Sequence, residues 1–169
     1  MNRAGAVARY RQELEGIFAW VAPALPEEQS HAEIQPRSAG RLILLVIGTE
    51  RGLCGAFNDH VVARAQQFLS QPAVEGTEVT LTSLGKQTAK ALRRLGRQPV
   101  WSGRLSGTAL PPLEVASELA AEWLDSYDRG QLSAVHVVHN LRRGVAGYTP
   151  VVTQLLPLDL PEVPASDAE

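Results

Sequence analysis

The 169-residue chain has one cysteine, Cys54, so it can form no internal disulfide, which suits a reducing compartment. It has no long apolar run. Leu42 to Ile47, as long as any, is far short of the roughly 20 residues a bilayer-spanning helix needs, and Arg41 and Glu50 flank it closely. The N-terminus never develops an uninterrupted apolar stretch ending in small residues, which argues against a secretory signal. Neither sign of charge dominates: 16 Lys+Arg against 18 Asp+Glu leave a formal −2, which speaks against a non-specific grip on nucleic acid or an acidic membrane. Lysine is scarce, with only Lys86 and Lys90 among the 16 basic residues, a bias read as that of a GC-rich genome rather than of a site. The remainder is ordinary for a globular protein, with 44% hydrophobic and 20% charged residues. This length supports one domain of about 100–150 residues with flanking segments, and excludes two.

Residues 7–22 place Val7, Tyr10, Leu14, Ile17, Phe18 and Val21 three and four apart, the pattern of an amphipathic helix that Pro23 and Pro26 close. Residues 23–40 turn to Pro, Glu, Gln, Ser and Arg without periodicity and read as a linker. The compact domain is expected over 41–158. It opens with an apolar strand, Leu42–Ile47, a Gly-rich turn to Gly55 and a helix over Asn58–Leu69 with Val61, Val62, Ala65, Phe68 and Leu69 on one face. A second strand, Glu78–Leu84, leads into a helix over Lys86–Leu95 with a stripe of Ala89, Leu92 and Leu95, terminated by Gly96. A short strand at Val100–Trp101 and a loop over Gly103–Pro112 precede the clearest helix, Leu113–Tyr127. Its apolar face reads as Leu113, Ala116, Ala120, Trp123, Leu124 and Tyr127. Ala134–Val138 and Val151–Leu156 are the last strands, joined by the turn-rich segment Arg142–Pro150.

Unbroken apolar strands alternating with amphipathic helices require a sheet covered on both faces, so the class is α/β: three layers around a five-stranded, mainly parallel sheet. The connection from Asn140 to Pro150 has no helical pattern and is too short for a parallel crossover, so the last strand is expected to be antiparallel. Residues 159–169, with four acidic side chains and two prolines, are expected to be a disordered tail.

Few residues point to chemistry. The turn Gly48–Gly55 lies between a strand and a helix, where α/β folds bind phosphate. It lacks the lysine of a P-loop, and its glycines do not make the dinucleotide fingerprint, so a structural turn is the preferred reading and no cofactor is expected. Cys54 before a helix N-terminus is a candidate nucleophile, with a small buried hydrophobe the preferred alternative. His136 and His139 form HxxH, but on a strand residues three apart face opposite ways, so no metal site is expected and His136 reads as a satisfied sheet histidine. Ser83, His60 and Asp125 have no signature of a triad. Glu114, Glu118 and Glu122 read as a solvated acidic face, and Trp20, Trp101 and Trp123 as core anchors.

The segment Ile47–Asn58, IGTERGLCGAFN, resembles the S-D-R-G-L-C-G-G-F/L-N stretch of the γ subunit of F-type ATP synthases, with Arg51, Gly52, Leu53, Cys54, Gly55, Phe57 and Asn58 matching. Glu50 stands for the usual Asp and Ala56 for a Gly. Val151–Leu158 is similar to the family's Q-L-L-P-L strand, and Ser83–Lys86 and Tyr127–Leu132 are similar to intervening family segments in the same order. The resemblance runs from about Tyr10 to Leu158.

It implies a five-stranded α/β/α domain with an antiparallel last strand and no catalytic residues, part of the central stalk between the α and β head and the membrane ring, with ε against it. Partners would be those subunits, without nucleic acid or direct membrane insertion. The location would be peripheral on the cytoplasmic side of a bacterial inner membrane, or cytoplasmic. Arg51, Gly52, Leu53, Cys54, Gly55 and Asn58 become the subunit-contact candidates, with Gly52 and Gly55 shaping the backbone. Residues 7–22 are expected to be the remnant of the first rotor helix, with no counterpart of the second after Leu158. A stand-alone γ-like binding or assembly module without a rotary role is the alternative. An α/β enzyme using Cys54 or the Gly48–Gly55 turn on a phosphorylated ligand is a third reading.

Overall fold

The computed structural model describes residues 12–14, 16–17, 35–105, 113–144 and 147–158. Of the expected N-terminal helix, 12–14 and 16–17 are helical; the rest of 1–22, most of the 23–40 linker, Trp20 and the 159–169 tail lie outside the described residues. The order is β1 (Arg41–Ile47), α1 (Phe57–Leu69), β2 (Val79–Leu84), α2 (Lys86–Arg94), β3 (Trp101–Gly103), α3 (Leu113–Asp128), β4 (Leu132–Arg143) and β5 (Gly147–Leu156).

The five strands lie in the order β3-β2-β1-β4-β5. The first four are mutually parallel and β5 runs antiparallel to β4, as expected. β1 is central, and its alternating side chains feed two cores because successive strand residues face opposite ways. Leu42, Leu44 and Val46 pack with Val61, Val62, Ala65 and Phe68 of α1 and Ala91 and Leu92 of α2. Ile43 and Leu45 pack on the other face with Trp123 and Tyr127 of α3 and with Val135 and Val137 of β4. The result is the three-layer α/β/α arrangement, two helices on one face and one on the other.

Gly96 ends α2 as expected. At φ +71 it donates to Arg93 O while Arg97 N donates to Leu92 O, both at 3.0 Å, the paired bonds of a glycine-terminated helix. Gly130 and Gln131 close α3 in the same way on Tyr127 O and Ser126 O. Below α3, the Tyr127 hydroxyl donates to Gln35 O at 2.5 Å and the Arg37 guanidinium lies 4.8 Å from the Tyr127 ring, tying the segment before β1 to the helix end.

Four expectations need correction. The buried side of α3 is rotated from the predicted face: Leu119, Trp123, Ser126 and Tyr127 turn inward, whereas Ala116, Ala120 and Leu124 are exposed. Leu119, Trp123 and Tyr127, spaced by four, set the orientation because they bury more area than alanines do. Leu95 lies beyond the last turn of α2 and is half exposed. Trp101 sits on the edge strand β3 and is 39% exposed, so of the described tryptophans only Trp123 anchors a core. The segment Arg142–Pro150 is not mainly turn: β4 and β5 extend through it and stay paired to Arg143↔Gly147, well past the end of β1.

Candidate functional site

The strand order changes direction between β1 and β4, since the chain leaves β1 to build β2 and β3 on one side and crosses back for β4. In such sheets the crevice at the carboxyl end of the strands is where ligands bind. The turn from Gly48 to Ala56 occupies that position, between β1 and α1.

Here the protein's own polar groups hold the turn in place. Asn58, in the first turn of α1 and 8% exposed, accepts from Thr49 N at 2.9 Å and from Thr88 Oγ1 at 3.3 Å through Oδ1. Its Nδ2 donates to Thr49 Oγ1 at 2.8 Å, and that hydroxyl donates to Arg51 O at 2.8 Å. Gln87 N donates to Thr49 O at 3.0 Å. Glu50 Oε2 accepts from Lys86 N at 3.0 Å and from Leu105 N at 3.1 Å, and Arg104 Nε lies 3.5 Å from Oε1. The N-cap of α2 is Gly85, which has no side chain, so Glu50 supplies the acceptor and the negative charge that a helix N-terminus favours. The backbone hydrogen bonds from Lys86 and then Leu105 hold the Glu50 carboxyl below its usual pKa of 4.5, with Arg104 adding to them. A carboxylate at this point and the absence of a lysine in the turn do not fit a phosphate cradle.

What the turn presents outward is its tip. Arg51 and Gly52 are exposed, and Leu53 is 103% exposed. Cys54 is half-buried and donates Sγ–H to Arg51 O at 3.4 Å, so it is neither a core residue nor an open thiol. Gly55 has φ +53, the left-handed conformation that glycine was expected to supply, whereas Gly52 has no positive φ. The six candidates therefore divide: Arg51, Gly52, Leu53 and Gly55 lie on the exposed surface, Cys54 lies beneath them, and Asn58 faces inward as the fastening.

Beside the tip rises the β4–β5 ribbon, with Leu141 and Tyr148 exposed at 42% and 52%. It is tied to the start of α1 by the bond from Asn140 Nδ2 to Phe57 O at 2.9 Å and by the edge-to-face Phe57–Tyr148 contact at 5.1 Å. Sequence reasoning did not select Thr49, Glu50, Thr88 or the ribbon. For Glu50 a signal existed, the acidic residue preserved in the matched motif; for Thr88 none did.

The other candidates stay apart. Ser83 is fully buried on β2 and donates to Ser102 Oγ, His60 is exposed on α1, and Asp125 pairs with Arg129 on α3 across the sheet. His136 lies against Phe68 at 4.8 Å, and His139 is 3.1 Å from Thr153 Oγ1. Among the described residues His136 is not fully satisfied, because its buried Nδ1 has no hydrogen-bond partner there, and burial lowers its pKa below the usual 6.5 against a raising bond from Gln154. Among the described residues no group of three or more His, Cys, Asp or Glu could hold a metal ion. Glu114, Glu118 and Glu122 are all exposed. Among the described residues no helix is long and apolar enough to cross a membrane.

A doubly wound sheet whose strand-end turn is held by its own side chains and presents an exposed arginine and an exposed leucine defines an open α/β domain with an outward-facing loop at its strand ends. The chain belongs to the ATP synthase gamma-chain family: a family model described as ATP synthase matches residues 1–169. It is similar to the ATP synthase gamma chain of Anaeromyxobacter sp., 31% identical over 156 residues, covering 90% of this chain and 53% of the relative. The gamma chain of Phenylobacterium zucineum is 27% identical over 152 residues, covering 89% and 52%. The chain thus spans about half the length of these curated relatives. Its fold is similar to a chain in the Tetrahymena thermophila mitochondrial ATP synthase central stalk and c-ring structure, with TM-score 0.55, 16% identity and coverage of 90% and 70%. A chain of the Euglena gracilis mitochondrial ATP synthase rotor gives TM-score 0.53, also at 16% identity, with coverage of 90% and 63%.

Proposed function

We propose that this chain acts as a non-catalytic platform in the central stalk of an F-type ATP synthase, within a complex that couples proton translocation to ATP synthesis or hydrolysis. The observation that carries the reading is the Arg51–Asn58 turn. It reproduces the family motif, and its exposed tip is fastened from beneath by Asn58, Thr49 and Glu50. In this role Arg51 and Leu53 meet other synthase subunits, with α, β, ε and the membrane ring as the set from which partners come. The location is then peripheral, on the cytoplasmic face of a bacterial inner membrane.

Affinity isolation of the tagged chain from its native membranes at native expression is expected to recover α and β subunits, and Arg51→Glu to reduce that recovery without lowering the thermal midpoint of the isolated protein. Recovery of no synthase subunit would sink the proposal and favour the stand-alone module. Undiminished recovery with Arg51→Glu would remove Arg51 from the contact.

A further inference from the structure

The scarce lysines prove to be clustered. Lys86 and Lys90 both lie on α2, and with Arg93, Arg94 and Arg97 they make five cations within residues 86–97, which hold no acidic residue. Removing these five leaves 11 basic and 18 acidic residues in the rest of the chain, so a +5 segment sits on a −7 remainder. All five are exposed. Of these five, only Arg94 makes an ion pair among the described residues, to Asp59 of α1 at 3.8 Å, and both partners are mostly exposed, so the pair contributes little.

Arg93 and Arg94 suit the negative end of the helix. That does not account for Lys86 and Lys90 in its first half. Lys86, Lys90 and Arg94 follow one another by four, a like-charge ladder that weakens a helix rather than supporting it. Internally α2 buries only Thr88, Ala89, Ala91 and Leu92, a thin apolar face on which to carry that repulsion.

Lys90 and Arg94 of this ladder line a groove between α1 and α2. One end, of about 340 Å³, combines the buried Val62 and Ala91 with the exposed Ala63 and the half-exposed Leu95, and also takes in Gln66. The other, of about 210 Å³, is polar and reaches Gly52 and Gly55 of the turn, with Gln87 and Lys90 on its α2 side. Asp59 and Arg94 line both ends, and Asp59 is the one acidic residue in either among the described residues. A groove between two helices takes a third through its apolar side chains. The cations on one bank select its charge, because like signs brought together are penalised and opposite signs are drawn together.

We infer that the α1–α2 groove is a docking site for an amphipathic acidic helix of a partner protein, its apolar residues over Ala63 and Leu95 and its carboxylates, one per helical turn, against Lys86, Lys90 and Arg94. The inference rests on charge and shape and stands apart from the stalk role, so either can fail without the other.

The test is fluorescence anisotropy with a labelled helical peptide carrying Glu at every fourth position and Leu on the adjoining stripe, titrated with the intact chain. Saturable binding is expected, weakened about tenfold by Lys90→Glu with Arg94→Glu and to a similar degree by Ala63→Trp, which fills the apolar end from an exposed position. Arg129→Glu, at the end of α3 on the other face of the sheet, should leave it unchanged. Thermal melts of the variants guard against unfolding, and Lys90→Gln with Arg94→Gln is read in the same titration should the reversed pair fail to fold. Absence of binding, or binding indifferent to both the charge and the Ala63 variants, overturns the proposal. So does tighter binding to phosphatidylglycerol vesicles or duplex DNA than to the peptide, which would assign the cations to lipid or nucleic acid.

Discussion

Asn58 uses three of the four hydrogen-bonding positions of its amide to hold the turn, with its side chain largely withdrawn from solvent. Its truncation leaves Thr49 N and Thr88 Oγ1 short of an acceptor, so Asn58→Ala should lower the unfolding free energy by about 2–3 kcal/mol in urea denaturation. Gly48 meets the same cluster from the other side: a Cβ there would overlap Thr88 Oγ1 and Asn58 Oδ1. Gly48→Ala should therefore cost at least about 2 kcal/mol by the same measurement, through overpacking rather than backbone strain. Glu50 adds a pH dependence whose sign is fixed. Its folded pKa is lowered, so near pH 4.5 the unfolded chain binds more protons than the folded one. The stabilisation is present above the ordinary carboxyl value and lost as pH falls through the folded one. The difference in thermal midpoint between the protein and Glu50→Gln should be largest near neutrality and vanish in acid. The position of this turn was legible in the sequence, because glycines and the matched motif mark it; its fastening was not, because Thr88 and Leu105 meet it across 30 and 55 residues of intervening chain.

Elements were legible wherever apolar periodicity coincided with a stop signal. β1 and α1 fall close to their expected places, and Gly96 and Gly130 end α2 and α3. The rotation of α3 was not legible, since its sequence offers apolar residues around more than half the helix and periodicity alone does not weigh a tryptophan against an alanine. The length of the β4–β5 ribbon escaped for a different reason. Arg142, Arg143 and Gly147 look like turn residues, but past the end of β1 the pair has no further strand on that side among the described residues, and polar side chains are tolerated there. Such a ribbon depends on its lateral ties, and Asn140 supplies one to Phe57 O. Asn140→Ala should leave the global unfolding transition nearly unchanged while raising amide hydrogen exchange in the ribbon, read by mass spectrometry on peptides spanning 138–150.

At the scale of the molecule, β1 belongs to both cores, and Leu44 and Leu45 face them from opposite sides with 0% and 3% exposure. Leu44→Ala and Leu45→Ala should each cost about 2–5 kcal/mol. Each should displace one transition, with Trp123 fluorescence and far-UV circular dichroism following the same curve, because neither layer can unfold without stripping the central strand. Both faces of that strand were legible from its unbroken apolar run. The Glu50 carboxylate has a mechanical consequence. It joins the turn to the first residue of α2 and to the chain leaving β3, so a load applied at Leu53 divides among the middle of the sheet, a helix on one face and the sheet's far edge. Pushed there, the domain should yield by displacement of its whole body before the turn deforms, the behaviour of a rigid coupling rather than of a spring.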